Sequence, residues 1–269
     1  MKKLTLLILL LFIPLIMGAT VPWSTGPCGD GNDAYVKLLL HCNGVNGSTT
    51  FTDSSTSGKT VTAGGTPNIA TISTARSRYG GASGLFVGGG SYSLGWAGSC
   101  LYLADSDDWF LGTGDFTIDF WVMFTELPTT DTDGHDYAFI FSQNDSDTHQ
   151  TGLALHNVAN LYYWTFYTTD TTATTLFSTL TTISINTWYH VEIDRSGNDF
   201  YLFQNGNQLA TTNNSVSIPD RAARMFIGTY GRSGAEYADN FIGYLDEVRW
   251  SKGIARHTAS FKPYSCEYQ

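Results

Sequence analysis

The sequence predicts an all-β protein, folded as a two-sheet antiparallel sandwich. Three observations carry this. Apolar residues at helical spacing never persist beyond one turn. Short runs that alternate apolar and polar recur along the chain, with Gly, Asn and Asp between them. Charged residues make up only 14% and aromatic residues also 14%, so rings can fill a sizeable core beneath an uncharged polar skin.

The elements follow in order. Lys2 and Lys3 precede an apolar stretch over 4–17 that Pro14 interrupts. Fourteen residues fall short of the roughly 20 that cross a bilayer, so residues 1–19 read as a secretory signal cleaved after Ala19. An N-terminal arm covers 20–33, and a single domain covers 34–269, a length that suits one large β-domain. No later apolar run is long enough to span a membrane, and the expected location is secreted or extracellular, with the periplasm as an alternative.

A first strand is expected over 34–42, and short strands over 61–62, 69–72, 85–87 and 101–103. Residues 106–111 suit one helical turn. Residues 115–124 form the clearest strand: Phe116, Ile118, Phe120, Val122 and Phe124 fill one face, while Asp119, Trp121 and Met123 take the other. Strands over 137–142, 153–156 and 161–167 continue the series, and the Thr-rich run 168–175 is a polar loop or an edge strand. In 188–195, Tyr189, Val191 and Ile193 oppose Trp188, His190, Glu192 and Asp194. Ser196-Gly197-Asn198 turns the chain, 199–204 returns, and Asn205-Gly206 turns it again, because both of its positions tolerate positive φ. Strands over 224–230 and 241–251 close the fold. In the last of these, strict alternation puts Asp246 in a row with Ile242, Tyr244, Val248 and Trp250. A carboxylate there must be neutralised, hydrogen-bonded or metal-bound.

The formal charge is −10, and loss of Lys2 and Lys3 makes it more negative, which argues against a nucleic-acid partner. Four cysteines after a signal allow three connectivities. The expectation pairs Cys28 with Cys266, tying the termini, and Cys42 with Cys100; free thiols are the alternative. No H-E-x-x-H pair, G-x-S-x-G or phosphate loop is present. The sequons at Asn46, Asn144 and Asn213 matter only in a eukaryotic secretory pathway. The acidic loops Asp131/Asp133/His135/Asp136 and Asp145/Asp147/His149 flank one strand, whose length of about 20 Å keeps them from sharing a metal.

The segments LGTGDFTIDFWV (111–122), WYHVEIDRSGNDFYLFQNGNQLA (188–210), MFIGTYG (225–231) and GYLDEVRWSKGIARHTASFKP (243–263) occur in one order. With LLLHCNGVNGSTTFTDSS (38–55) and SRYGGASGLFVGG (77–89), they resemble the LamG-like, concanavalin A-like jelly rolls of bacterial secreted proteins and of phage tail or surface proteins. The resemblance implies a jelly roll whose first and last strands are adjacent. It also implies a structural calcium, held by an acid of the last strand and by oxygens near the first: Asp246 with Asn43 and Gly44. Backbone amides or an arginine at Asp246 are the alternative. The chain departs from the family in the insertion 88–99 and in its cysteines. Members bind glycans or proteins, or serve as structural modules, and the fold does not choose among these.

Sugars stack on aromatic rings and hydrogen-bond to amides, hydroxyls and carboxylates. The candidate ligand residues are therefore Asp119, Trp121, His190 and Glu192 on the polar sheet face, Tyr92 and Trp96 in the inserted loop, and Arg232 in the loop 230–237. The expected function is a secreted, non-catalytic recognition module that binds carbohydrate at a cell or particle surface. One alternative is a structural or protein-contacting module, including a viral surface component. A second is a glycoside hydrolase of laminarinase type. Glu192-Ile193-Asp194 begins that group's strand motif, but Arg195, Ser196 and Gly197 follow where a third acid belongs.

Overall fold

The computed structural model describes residues 31–65, 68–88, 98–130, 136–146, 148–170, 172–231 and 237–269. The expected signal, most of the N-terminal arm, Cys28, Tyr92, Trp96 and Arg232 lie outside them. Short strands come first: β1 (Val36–Leu40), β2 (Val61–Gly64), β3 (Thr71–Ser73), β4 (Ser83–Phe86) and β5 (Cys100–Leu103). Long ones follow: β6 (Phe116–Phe124), β7 (Tyr137–Asn144), β8 (His149–Val158), β9 (Leu161–Asp170), β10 (Thr172–Thr181) and β11 (Trp188–Ser196). The chain closes with β12 (Asp199–Gln204), β13 (Asn207–Asn213), β14 (Met225–Ile227), β15 (Tyr230–Gly231), β16 (Tyr237–Ala238) and β17 (Gly243–Lys252).

An eight-stranded sheet runs β13-β12-β11-β6-β17-β4-β3, with β1 also paired to β17, so the first and last strands are adjacent. A seven-stranded sheet runs β10-β9-β8-β7-β14-β5-β2, and β15 and β16 form a small ribbon. Every strand pair is antiparallel. The described residues contain no helix. At 106–111 the expected helical turn is a pair of β-turns: Trp109 N–H donates to Ser106 O and Phe110 N–H to Asp107 O. The Thr-rich run ends β9 and begins the edge strand β10.

The core lies between the two sheets. Phe116, Ile118, Phe120, Val122 and Phe124 of β6 point into it, as the alternation requires, and meet Trp164, Phe166, Leu153 and Leu155 of the facing sheet. Full burial of each such side chain contributes roughly 1.5–3 kcal/mol. The Asn205-Gly206 turn has φ 52° and 75°, the left-handed pair that a two-residue hairpin demands.

Two expectations are corrected here. Asp246 is not in the core row. Glu247 adopts φ 50°, and the pairing of β17 with β6 shifts register between Asp246 and Arg249, so a bulge reverses the alternation. Phe241 and Leu245 face the core before the bulge, and Val248 and Trp250 face it afterwards. The expected Cys42–Cys100 bridge does not form: both are buried free thiols. Cys42 follows β1 beside Gly84 of the eight-stranded sheet, whereas Cys100 opens β5 beside Gly64 of the other. Stacked sheets lie about 10 Å apart, beyond the reach of a disulfide.

Candidate functional site

The polar face of the eight-stranded sheet brings Asp119, Trp121, His190 and Glu192 together, as expected, but does not leave them open. Glu192 lies opposite Asp119, and His190 opposite Trp121, on paired strands β11 and β6. Their exposures are only 0% for Asp119, 6% for Trp121 and 1% for His190 and Glu192. The cover is the C-terminal tail, residues 253–269, over Asp119, His190 and Glu192, and Arg78 with Tyr79 over Trp121. His257 Nδ1 meets Glu192 Oε1 at 2.5 Å, and its ring stacks on Phe261. Phe261 in turn packs on Phe203 and His190, and its N–H donates to Gly206 O. Tyr268 donates its hydroxyl to Asp119 and its N–H to Glu247 Oε2. With this cover in place a glycan does not reach the four residues. The signal that could have warned of this is the tail's own aromatic spacing, Phe261, Tyr264 and Tyr268.

The electrostatics suit a buried clasp. Burial opposes ionisation of Asp119, but the Arg249 guanidinium outweighs it through Nε at 2.8 Å and holds the carboxyl well below its usual range. Burial and then the Asp119 charge push Glu192 up to about 8. Burial and then Glu192 raise Asp194, whose Oδ1 accepts from the Thr117 hydroxyl and from the N–H of Arg256 and His257. Three groups on this face could converge on an ion among the described residues: His41/Glu247/Glu267, Asp119/His190/Glu192 and Glu192/Asp194/His257. Every one of these residues already has a hydrogen-bond partner, Glu267 with Asn43 and the others within their group, in the tail or on Arg249.

Asp246 belongs to the same clasp. Its Oδ2 accepts N–H groups of Arg78 at 2.7 Å and Tyr79 at 3.1 Å, and its Oδ1 is buried without a partner. Burial pushes the carboxyl up to about 7, against the pull of those two amides. Asn43 donates to Glu267 Oε1, and Gly44 sits in an open conformation at φ 151°. The two N–H groups take Oδ2, while Oδ1 is the oxygen that a calcium held by Asp246, Asn43 and Gly44 would use. The amide alternative describes the geometry.

The seven-stranded sheet carries the open site. On its outer face Tyr137 pairs across from His156, Phe139 from Ala154, Thr165 from Ala154, and Tyr167 from Gly152. The buried Phe139 ring lies against Gly152 and forms a floor, with Tyr137, Tyr167 and Tyr230 around it. Room for Phe139 depends on Gly152, where a Cβ would come 3.0 Å from the ring. The resulting trough has a volume of about 390 Å³ and is lined by Tyr137, Phe139, Tyr167 and Tyr230 with Gln150, Thr165 and Asp239. Phe139 meets Tyr230 at 5.2 Å and Tyr167 at 6.3 Å, both edge to face, and Tyr137 stacks on His156 at 3.9 Å. Gln150 orients two of the rings, donating to the Tyr230 hydroxyl at 2.6 Å and accepting from the Tyr167 hydroxyl at 3.3 Å. Sequence reasoning missed this trough. Its trace is the alternation Gln150, Gly152, Ala154, His156 between strands bearing Tyr137, Phe139 and Tyr167.

Of the acidic loops, Asp131, Asp133, His135 and Asp147 lie outside the described residues. Asp145 pairs with His149 at 3.2 Å and Asp136 with His156 at 3.7 Å.

Residues 97–256, more than half of the chain, match the model of the concanavalin A-like lectin/glucanases superfamily, and the chain belongs to that family. No curated protein matches it significantly. Among solved structures, it is similar to the binding domain of Paraclostridial Mosquitocidal Protein 1, with a TM-score of 0.56 at 17% identity over 82% of this chain and 49% of that one. It is also similar to domain 4 of an extracellular arabinanase from Geobacillus stearothermophilus, solved with arabinotriose, with a TM-score of 0.55 at 14% identity over 82% of this chain and 93% of that one. A third is the binding domain of Botulinum Neurotoxin serotype G, with a TM-score of 0.54 at 14% identity, over 81% and 48% of the two chains. The chain thus spans about half the length of the two toxin binding domains. These likenesses show a jelly-roll fold.

Proposed function

We propose that this chain is a secreted, non-catalytic recognition module that binds carbohydrate at a cell or particle surface, in the trough of the seven-stranded sheet. The carrying observation is the trough itself: the rings of Tyr137, Tyr167 and Tyr230 around a floor formed by the buried Phe139, with amide, hydroxyl and carboxyl groups among them. Ring faces take the C–H surfaces of a sugar, and the polar groups fix its orientation. The arabinotriose seated on a domain of this fold agrees with that ligand class. The non-catalytic part of the reading follows from Glu192 and Asp194, which lie beneath the tail and whose strand offers no third acid. Secretion follows from the Lys2/Lys3 start and the apolar stretch after it, and no described helix is long and apolar enough to cross a membrane.

A glycan array probed with the mature chain tests this. Retention of a defined oligosaccharide, lost in Tyr137→Ala and Tyr230→Ala but kept in Trp121→Ala, supports the trough. Absence of any glycan binding by well-folded protein removes the reading and leaves a protein-contacting module.

A further inference from the structure

Two polar atoms in the trough wall lack partners. Asp239 Oδ1 and Thr165 Oγ1 are both buried, and neither makes a hydrogen bond within the protein. Thr165 is only 8% exposed. We infer that these two groups make the trough selective for neutral glycans, with Asp239 as the specificity-determining acceptor of sugar hydroxyls, so that sialic and uronic acids are turned away. This rests on the glycan reading above and narrows its ligand class.

Asp239 is held in place by its backbone. It adopts φ 49°, a left-handed conformation that Asp and Asn tolerate better than most residues. Its carbonyl accepts the Phe139 N–H at 3.0 Å, which fixes the acid against the ring that floors the trough. The next residue, Asn240, accepts from the Thr229 hydroxyl at 2.8 Å, and Phe241 N–H donates to Gly228 O. The backbone that carries the carboxyl is therefore held in place.

A carboxylate only accepts, and a threonine hydroxyl can do either. Once ionised, above its raised value of about 7, Asp239 takes a sugar hydroxyl on the orphaned oxygen with a charge-assisted bond. An anionic sugar meets the opposite situation. Asp136 lies close enough to raise Asp239, and burial followed by that neighbour pushes the carboxyl up to about 7. Tyr137 also feels both acids. None of the described lining residues is cationic. Arg221 is buried, and its guanidinium is committed to Gln150 O, Thr169 O and the Thr168 hydroxyl. A second carboxylate in the trough thus adds repulsion with no described lining cation to offset it.

The experiment is an array of matched neutral and acidic oligosaccharides, including lactose against 3′-sialyllactose and arabinotriose against trigalacturonic acid. Calorimetry on the best hit then compares wild type, Asp239→Asn and Thr165→Val. The expected result is neutral hits only, weakened roughly tenfold by Asp239→Asn, because a neutral acceptor replaces a charged one. Thr165→Val is expected to weaken them about two- to fivefold, a neutral hydrogen bond being weaker than a charged one. Melting temperatures of both variants should stay near wild type. Preference for the acidic member of a pair overturns the inference while the glycan reading stands. Neutral binding that neither variant alters also overturns it, since the sugar then sits elsewhere. Absence of all glycan binding removes the glycan reading, and this inference with it.

Discussion

Tyr268 donates its phenol to Asp119 Oδ2, joining the C-terminal tail to the middle of β6 across 149 residues of sequence. The same ring lies 3.9 Å beneath the Arg249 guanidinium, which clamps Asp119 through Nε and Nη2 at 2.8 and 3.2 Å. Strand, last strand and tail therefore share one buried charge. Tyr268→Phe removes a hydrogen bond to a charged group, a loss of about 1.5–3 kcal/mol. For a chain of this size that lowers the melting temperature by about 3–12 °C, at 2–4 °C per kcal/mol. Tyr268→Ala adds a cavity and lowers it further. Calorimetric scans of both variants check this, and melting unchanged in both would show that the tail does not hold the face.

Glu192 sets a pH dependence. Its carboxyl is raised to about 8 by burial and then by Asp119, so the folded state holds a proton that the unfolded chain releases near its ordinary 4.5. A raised acid contributes its full stability below the unfolded value and loses it as pH climbs toward the folded one. His41, raised by Glu247, loses its contribution in the same direction above 6.5. His190 and His257 are lowered, chiefly by burial, and their contribution changes only below 6.5. Between pH 7 and 8 the wild type should therefore lose about 1 kcal/mol through Glu192, or 2–4 °C of melting temperature. In Glu192→Gln this loss should shrink to the parts set by His41, by Asp194, and by Asp239 and Asp246, both raised to about 7. Melts at both pH values in one buffer series read it out, and parallel curves for the two proteins would reject it.

The legible parts of this fold were those set by local pattern. β6 alternates without interruption, and Asn205-Gly206 turns where its dihedrals require. The phase of β17 was not legible, because the bulge rests on one left-handed glutamate, and nothing local to Glu247 marks it. Nor was the burial of Asp119 and Glu192. A polar sheet face reads as solvated until a distant tail lies on it, and tail contacts such as Phe261 to Gly206 span 55 residues or more. The trough was hidden for a different reason. Small residues in β8 read as weak strand formers when taken alone, and that Gly152 makes room for the Phe139 ring shows only once the flanking strands are known.

The thiols have a definite expected count. Burial raises the Cys42 thiol well above its ordinary value and pushes Cys100 up to about 12, so neither offers a thiolate near neutral pH. Cys266 is not among the free thiols, and a bridge to Cys28 is the pairing we propose. Ellman's reagent should then find almost no reactive thiol in native protein and two per chain in denaturant. Four in oxidised, denatured protein would remove the terminal bridge, and none would restore a Cys42–Cys100 pair.

Asp246 should matter for closure and not for binding. Asp246→Ala strips the acceptor from two backbone N–H groups of the 78–79 turn, at a cost of about 1–3 kcal/mol. Its sheet is not the one that carries the trough, so glycan affinity should stay within twofold. Calcium and EGTA should give the wild type equal melting temperatures. A calcium-dependent rise that Asp246→Ala abolishes would put a metal at this carboxylate after all.

Gly152 gives the most direct way to close the trough. It lies opposite Tyr167 on β9 and next to the Phe139 ring, where a Cβ would approach to 3.0 Å. Its φ is not in the left-handed region, so a branched side chain costs packing rather than backbone strain. Gly152→Val pushes the Phe139 ring outward into the trough. Overpacking of this kind costs about 1–3 kcal/mol, and part of that is offset by the stronger strand preference of valine. The fold should therefore survive with a melting temperature within several degrees of wild type. Binding of any glycan the wild type retains should fall at least tenfold, because the volume between the rings is lost. Titration calorimetry beside a thermal melt separates the two effects. Full affinity in a folded Gly152→Val protein would mean that the ligand sits on another face, and the search would move to the loops beside β15 and β16.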